Sequence, residues 1–394
     1  MQLAAAKLAG MLPEPVFGPR RRGYLSFVSA LLLAVASFSR SFQKYVMRVT
    51  PLAAGLVAGA ALLAGACTSL KPTTFNAVPD TGPRTATVAF YNLENLFDTQ
   101  DDPAINDQDF LPTSALKWDD ARYRTKLTQM ASVIEQLGSP NGPDVLGVSE
   151  VENRKVLQDL VAQPALASRK YQVIHFDSPD PRGIDVALIY KPDRFQPTSQ
   201  RAVPLPLPDT TMGTRDVLLV SGKLNGESIT FMVNHWPSRR SGSVSVRRRY
   251  AAADLVRGLV DAELQVNPQA RILLMGDFND YPTDSSITQH LRASYDAKNL
   301  PNGQLFNALY DAHQRGEGTH FYRQKGTVLD QMMLSPGLMG NDGLHFIGTG
   351  NIYKPARLLS TEEKYRGEPL RTYGGKKYLG GFSDHLPVYL TLTK

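Results

Sequence analysis

The sequence predicts an α/β domain in which two β-sheets pack together with helices outside, and three observations carry that expectation. Short β-branched runs and longer runs of helical spacing alternate from about residue 84 onward. Several strand-like runs are apolar on both faces, as central strands covered by further layers are. No repeat occurs at solenoid or propeller periods.

The elements follow in order. "TATVAFYNL" alternates and is rich in strand formers, and "DDARYRTKLTQMASVIEQL" has apolar residues at helical intervals. "DVLGVSEV" is an apolar strand that ends on an acid, and "ENRKVLQDLVAQ" is helical again. "YQVIHFD", "GIDVALIY", "DVLLVSGKL" and "ESITFMVNHW" are short and β-branched, consistent with hairpins. "SVSVRRRYAAADLVRGLVDAEL" reads as a helix packed through Ala, Leu and Val. After it come the strand "RILLMGDF", a helix at 285–292, and three strand-like runs, "GTVLDQMML", "LHFIGTG" and "LPVYLTL".

Composition fits one globular unit: 42% of the 394 residues are hydrophobic, 20% are charged, and low-complexity tracts are absent. The net charge of +6 sits partly in the N-terminal leader, so it only hints at an anionic partner. Cys67 is the only cysteine. One thiol makes no internal disulfide and no Cys-rich zinc site, so a metal here would be held by oxygen or histidine.

Residues 1–67 are expected to be a targeting region. From Met47, "MRVTPLAAGLVAGAALLAGACTSLKP" has one arginine, an apolar run at 52–66, small residues and then Cys67, the layout of a secretory signal. A cysteine after "LLAGA" resembles a bacterial lipoprotein box, although Ala64 stands where such boxes usually carry Leu. That resemblance implies export, lipidation of Cys67 and a membrane anchor. The run at 24–38 is short for a bilayer that needs about 20 residues, and Met47 reads as the true start. Residues 68–84 are Pro/Thr-rich and read as a tether, leaving 85–394 as the folded domain.

Polar residues of one chemical kind end or interrupt the strands. They are Asn92, Glu94, Glu150, Asp185, Asn234, His235, Asp277, Asn279, Asp330, Asp384 and His385. One such residue is ordinarily a turn former or helix cap. Asp330, set inside an apolar run, is harder to dismiss, because an unpaired buried carboxylate is costly. If the strand ends converge, the carboxylates repel and raise one another's pKa unless a cation sits among them. Oxygen donors without cysteine favour Mg²⁺, with Mn²⁺ or Ca²⁺ as alternatives. Such a metal with a histidine–aspartate pair suits attack of water on a phosphate ester. No nucleophile-elbow serine, Walker loop or dinucleotide-binding glycine motif is present.

"FYNLENLFD", "GVSEVENR", "GIDVALIY", "VNHWPSRR", "LMGDFND", "TVLDQMMLS" and "GFSDHLPV" occur in the order seen in the endonuclease/exonuclease/phosphatase superfamily, which 84–394 resembles throughout. The resemblance implies a four-layer α/β sandwich. It further implies that Glu150 is the main Mg²⁺ ligand, with Asn92 beside the metal and Asp384 a second metal-side or histidine-orienting carboxylate. His385 would be the general base, polarised by Asp330. Asp277 and Asn279 would align the nucleophile and hold the phosphate, and His235 would support the phosphate or leaving group. Supporting or capping roles are expected for Asp185, Glu94, Asn153 and Asp280. "NHW" tilts the resemblance toward the deoxyribonuclease and sphingomyelinase branches rather than abasic-site enzymes.

Two cationic stretches, "PSRRSGSVSVRRRY" and "RGEPLRTYGGKKYLGG", flank these motifs. Arg239 and Arg240, with Asn234, are expected to bind substrate, and the tyrosines of the second stretch are candidates for stacking on bases. Arg247–Arg249 could equally be a solvated helix face. No long hydrophobic hairpin suits insertion into a bilayer, which disfavours a sphingomyelinase. The expectation is a Mg²⁺-dependent nuclease acting on DNA or RNA outside the cytoplasm. The alternatives are a phosphomonoesterase or sphingomyelinase-like phospholipase, and a non-catalytic binding lipoprotein.

Overall fold

The computed structural model describes residues 85–210, 212–301 and 303–394. The targeting region, Cys67 and the tether lie outside the described residues. Strand β1 (Thr85–Leu96) leads to helix α1 (Asp120–Ile134), β2 (Val145–Val151) and helix α2 (Arg154–Val161). Then come β3 (Gln172–His175), β4 (Asp185–Tyr190), β5 (Phe195–Val203), β6 (Val217–Leu224), β7 (Glu227–His235) and helix α3 (Gly242–Val266). The chain continues through β8 (Ile272–Asp277), β9 (Ala293–Ser294), β10 (Leu305–Asn307) and the hairpin β11 (His320–Tyr322) and β12 (Lys325–Thr327). It closes with β13 (Asp330–Leu334), β14 (His345–Ile352), the short pair β15 (Tyr373–Gly374) and β16 (Lys377–Tyr378), and β17 (Val388–Thr393).

Two mixed sheets result, in the orders β14-β17-β1-β2-β4-β3 and β5-β6-β7-β8-β13-β10-β9. Alternation along each strand explains the layering. Val88 and Phe90 of β1 meet Val233, Met275 and Met332 between the sheets. Ala89 and Tyr91, on the opposite face of β1, pack with Met130, Ile134 and Leu157 of α1 and α2. Met232 and Leu274, on the outer face of the second sheet, pack with Ala252, Ala253 and Val256 of α3. Three apolar seams between four layers make the α/β sandwich that the sequence implies.

Some expectations are corrected. The helix at 285–292 is a single π-helical turn over Ser286–His290. Strand β5 has no counterpart in the sequence reading, because its mostly exposed residues, "FQPTSQRAV", hide a sheet edge behind polarity. The run "GTVLDQMML" is divided between β12 and β13, with Asp330 as the first residue of β13. Among the described residues no helix is long and apolar enough to cross a membrane.

Gly276 is fixed by close approach. It pairs with Asn234 across the parallel β7–β8 ladder, and a Cβ there would lie 2.3 Å from the Asn234 carbonyl oxygen. Gly276→Ala is expected to destabilise the protein by about 1–3 kcal/mol, as overpacking does. A urea titration checks this: the midpoint should fall with the slope unchanged.

Candidate active site

The functional side chains sit where the inward-facing rows of the two sheets run out of apolar residues. Phe90 is followed two residues later by Asn92 on β1, Val233 by His235 on β7 and Met275 by Asp277 on β8, while Asp330 precedes Met332 on β13. Residues two apart share a strand face, so each polar group continues a row of the inter-sheet core to its open end. Register brings the rows level: His235 pairs with Asp277, and Asp277 with Asp330. His385 lies just before β17, which is antiparallel to β1, so it arrives at the same end.

Glu150 breaks this parity and needs a distorted backbone to reach the site. Leu146 and Val148 face the helices, and regular alternation would turn Glu150 the same way. The register of β2 shifts between Ser149 and Val151, and Glu150 has φ +59°. A bulge re-aims a side chain in this manner, and left-handed backbone at a non-glycine residue concentrates at functional sites. Glu94, Asn95 and Asn279 share the same backbone region, with φ between +49° and +52°. The left-handed turn at Asn95 points its N–H at Glu150 Oε2, 3.0 Å away.

Asn92 ties two carboxylates together: its Nδ2 donates to Glu150 Oε1 and to Asp277 Oδ2, both at 3.2 Å, while its oxygen accepts from the Glu94 N–H. Asp277 Oδ1 accepts from the Asn279 N–H at 2.9 Å, and the Asn279 amide donates to the Trp236 carbonyl. His385 Nδ1 is 2.7 Å from Asp330 Oδ2, and its Nε2 is 3.8 Å from Asp277. Thr319 accepts from the Asp330 N–H and locks that end of β13. His235 Nε2 lies 3.8 Å from Glu150 and 3.7 Å from Asp277.

The electrostatics follow from burial and crowding. Burial pushes the Asp277 carboxyl up to about 7; His385 opposes this, and Asp330 and Glu150 add to it. Burial alone would hold His385 down, but Asp330, Asp277 and Asp384 overcome it and keep its imidazolium well above the usual histidine range. Burial, followed by Arg215 and Arg182, holds His235 well below that range, so its ring is neutral. Burial raises Glu94 to about 7, with Asp384 adding and Lys126 opposing. Burial would also raise Asp384, but His385, His320, Arg371 and Lys126 outweigh it and keep its carboxyl low.

This donor set fits a hard divalent cation. Glu150 and Asp277 share one amide and face a neutral histidine, and Asp330 Oδ1 and His235 Nδ1 are buried without a hydrogen-bond partner. Donor atoms of Asp277, Asp330 and His385 lie within 4.8 Å of one another, and so do those of His320, Asp384 and His385. A cation among these acids would weaken their hold on the His385 proton and free the ring to act as a base.

The site opens into a cleft of about 1190 Å³. Glu150, His235, Asp277, Asn279, Asp384 and His385 all line it, as do Arg239 and Arg240. Three expectations are corrected here. Asn234 is fully buried on the other face of β7, where its amide donates to the Met232 carbonyl and accepts from the Trp236 indole, so it does not bind substrate. Arg239 is engaged by Asp280 at 2.8 Å and Asp284 at 2.7 Å and lies over the Tyr281 ring, so its charge is largely spent within the protein. The tyrosines of the second cationic stretch, Tyr373 and Tyr378, pack near Trp118 and Arg122 rather than standing free. Of the arginine run on α3, Arg249 is buried against Asp280 at 2.7 Å and Arg248 pairs with Asp209.

Asn153 caps α2, as expected, while Asp280 anchors Arg239 and Arg249 and Asp185 pairs with His175 at 2.9 Å. Sequence reasoning passed over several cleft residues. Arg182 and Arg215 share the carboxylate of Asp180, and His320 lies with its ring 4.9 Å from that of His385. Tyr322 and Tyr365 are exposed on the cleft wall, beside Arg323 and Lys364.

The chain belongs to the endonuclease/exonuclease/phosphatase family, whose family model matches residues 87–394. Enzymes of this family are metal-dependent phosphoric ester hydrolases that work with divalent ions. No curated protein gives a significant sequence match. Among solved structures, the chain is similar to a humanized D. rerio TDP2 at 14% identity, covering 79% of this chain and 100% of that one with a TM-score of 0.49. It is similar to the catalytic domain of human Nocturnin at 18% identity, covering 79% and 95% with a TM-score of 0.47. It is also similar to a mannosyl-6-phosphatase of Bacteroides thetaiotaomicron at 19% identity, covering 78% and 100% with a TM-score of 0.49. Likenesses at this level decide nothing about substrate.

Proposed function

We propose that the protein is a Mg²⁺-dependent phosphodiesterase that hydrolyses nucleic acid. Glu150 and Asp384 would hold the metal, which would neutralise phosphoryl oxygens, and Asn92 keeps Glu150 and Asp277 together. His385, oriented by Asp330, takes a proton from the attacking water. Asp277 and Asn279 align that water and the phosphate, and His235 supports the leaving oxygen with its neutral ring. Mn²⁺ or Ca²⁺ suits the same oxygen donors.

The observation that carries the nucleic-acid reading is the cleft wall. Its volume far exceeds one phosphoryl group, and Arg182, Arg240, Arg323, Lys364 and Arg371 line it together with the exposed rings of Tyr322 and Tyr365. Cations that track a backbone and rings that stack on bases are the two requirements for gripping a single strand. The test is incubation of the purified protein with plasmid, sphingomyelin and a simple phosphomonoester, with Mg²⁺ or with chelator. Plasmid nicking that chelation abolishes supports the proposal. Turnover of the monoester alone, or of sphingomyelin alone, overturns it.

The same proposal places the enzyme outside the cytoplasm, tethered by 68–84 to a lipidated Cys67. Its support is the signal-like order of residues from Met47 to Cys67. Cys67→Ala is expected to move the protein from the membrane fraction to the soluble fraction after cell lysis and centrifugation. Unchanged fractionation refutes the anchor.

A further inference from the structure

Arg182 stands beside the proposed catalytic centre in the connection between β3 and β4, with its side chain 51% exposed. It lines the cleft with Glu150 and His235. Its guanidinium is not free to swing. Nε donates to Asp180 Oδ1 at 3.1 Å and Nη2 to Asp180 Oδ2 at 3.2 Å, while the Arg182 N–H also donates to Oδ1 at 3.0 Å. Nη1 has no hydrogen-bond partner among the described residues.

Asp180 is itself fixed from behind. Arg215 donates Nη1 to Asp180 Oδ2 at 2.9 Å, and also gives Nε to the His235 carbonyl at 3.1 Å and Nη2 to the Trp236 carbonyl at 2.6 Å. Arg215 is buried and its donors are consumed in holding the end of the strand that carries His235. Burial alone would raise Asp180, but Arg182 and Arg215 pull it below the usual carboxylate range, so it stays ionised.

The charge balance then decides the matter. Two guanidiniums share one carboxylate, which leaves one positive charge over, and Arg182, half exposed where Arg215 is buried, is the one that presents it to the cleft. Arg239, which also lines the cleft, shows the contrast, since two carboxylates hold it. A planar fork held rigid, with one edge on a carboxylate and the other toward solvent, is preorganised for an oxyanion. Asp180 is the only ion-pair partner of Arg182 among the described residues, so the guanidinium stands apart from the metal-side acids.

We propose that Arg182, positioned by Asp180 and Arg215, is a subsite for a non-scissile phosphate of the strand whose neighbouring ester is cut between Glu150 and His385. The proposal rests on the nucleic-acid reading above and specifies which phosphate lies where. Arg182 acts by binding. Asp180 and Arg215 act through it as positioning residues.

The test uses the full chain. In a His385→Ala background, which leaves the strand uncut, binding of a fluorescein-labelled ten-nucleotide single strand is followed by anisotropy in Mg²⁺ at several salt concentrations. Arg182→Gln is expected to weaken binding roughly tenfold, the cost of one hydrogen bond to a charged group. It should also flatten the dependence of log Kd on log salt by about 0.7, the contribution of one single-strand phosphate contact. Arg182→Lys should restore the slope and part of the affinity, because a point charge replaces the fork. A residue that only shapes the loop would change affinity without changing slope. An unchanged slope in Arg182→Gln therefore overturns the proposal.

A second arm separates the neighbouring phosphate from the reacting one. With His385 intact, Arg182→Gln should lose about ten times more kcat/KM on the ten-nucleotide strand than on bis(p-nitrophenyl) phosphate, which has a single phosphorus. Equal losses on both would put Arg182 on the reacting phosphate and overturn the subsite. If the native protein cuts neither diester, the nuclease reading fails, while the salt slope still reports whether Arg182 meets a phosphate.

Discussion

His385→Ala is expected to lower kcat for Mg²⁺-dependent diester hydrolysis by about 10²–10⁴-fold, the range that a positioned general base contributes. KM should change little, because the ring is placed to act on the attacking water rather than to grip the strand. The expectation follows from a buried pair: His385 Nδ1 lies 2.7 Å from Asp330 Oδ2, and Asp330 is wholly enclosed. That bond fixes the ring and directs Nε2 toward Asp277, 3.8 Å away. Asp330→Asn should therefore cost much of the same factor while keeping the shape. Groups that act as one unit lose their effect together, so the double variant should be little worse than His385→Ala alone. Steady-state kinetics on a labelled oligonucleotide decide the point. Either full activity in His385→Ala or multiplicative losses in the double variant would contradict the assignment.

The second large effect concerns the cation. Glu150→Gln is expected to weaken divalent-ion binding by more than the roughly 10–100-fold lost when a residue merely supporting a ligand is removed. Calorimetric titration with Mg²⁺ and Mn²⁺ measures it directly. Thermal stability gives an independent reading, since an ion at a hundred times its Kd stabilises the native state by about 2.7 kcal/mol. Chelation should therefore lower the native Tm and leave that of Glu150→Gln unmoved. The sign of the metal-free comparison is informative too. Glu150 and Asp277 are like charges held by one amide, so neutralising Glu150 removes a repulsion, and the metal-free variant should melt no lower than the metal-free native protein. A variant that still gains stability from Mg²⁺ would place the ion elsewhere.

Much of this site was legible in the sequence, for a definite reason. Acids and histidines at the ends of apolar strands have few stable explanations, and strands that share a sheet bring their ends together. Asp277, Asp330, His235 and His385 follow from that alone; the register pairs bring the first three together, and the contacts of His385 with Asp330 and Asp277 add the fourth. Asn234 shows where the reasoning stopped short. It adjoins His235 on one strand, and neighbours on a strand face opposite ways, so only one of the two could enter the cleft. Glu150 succeeded in spite of that rule, through a left-handed residue that no composition signals.

The cationic residues were harder to place because charge in sequence does not say which partner it will find. Arg239 and Arg249 looked available and are held by Asp280 and Asp284, which lie far along the chain. Arg182 was not singled out from the sequence at all, and its significance appears only when Asp180 is seen between it and Arg215. Tyr322 and Tyr365 sit in segments without periodicity, so nothing in the sequence separated them from Tyr373 and Tyr378, whose rings are packed away.

The placement of the strand at Val388–Thr393 has a consequence for assembly of the fold. Val388–Thr393 is an interior strand of the first sheet, one place in from the edge, flanked by Thr85–Leu96 on one side and the edge strand His345–Ile352 on the other. His385 is delivered to the cleft immediately upstream of it. Until Val388–Thr393 has paired on both sides, His345–Ile352 is cut off from the rest of the first sheet and His385 has nothing to seat it at the cleft. Closing the sheet and seating His385 are thus one event, which joins the earliest and the latest of the described strands.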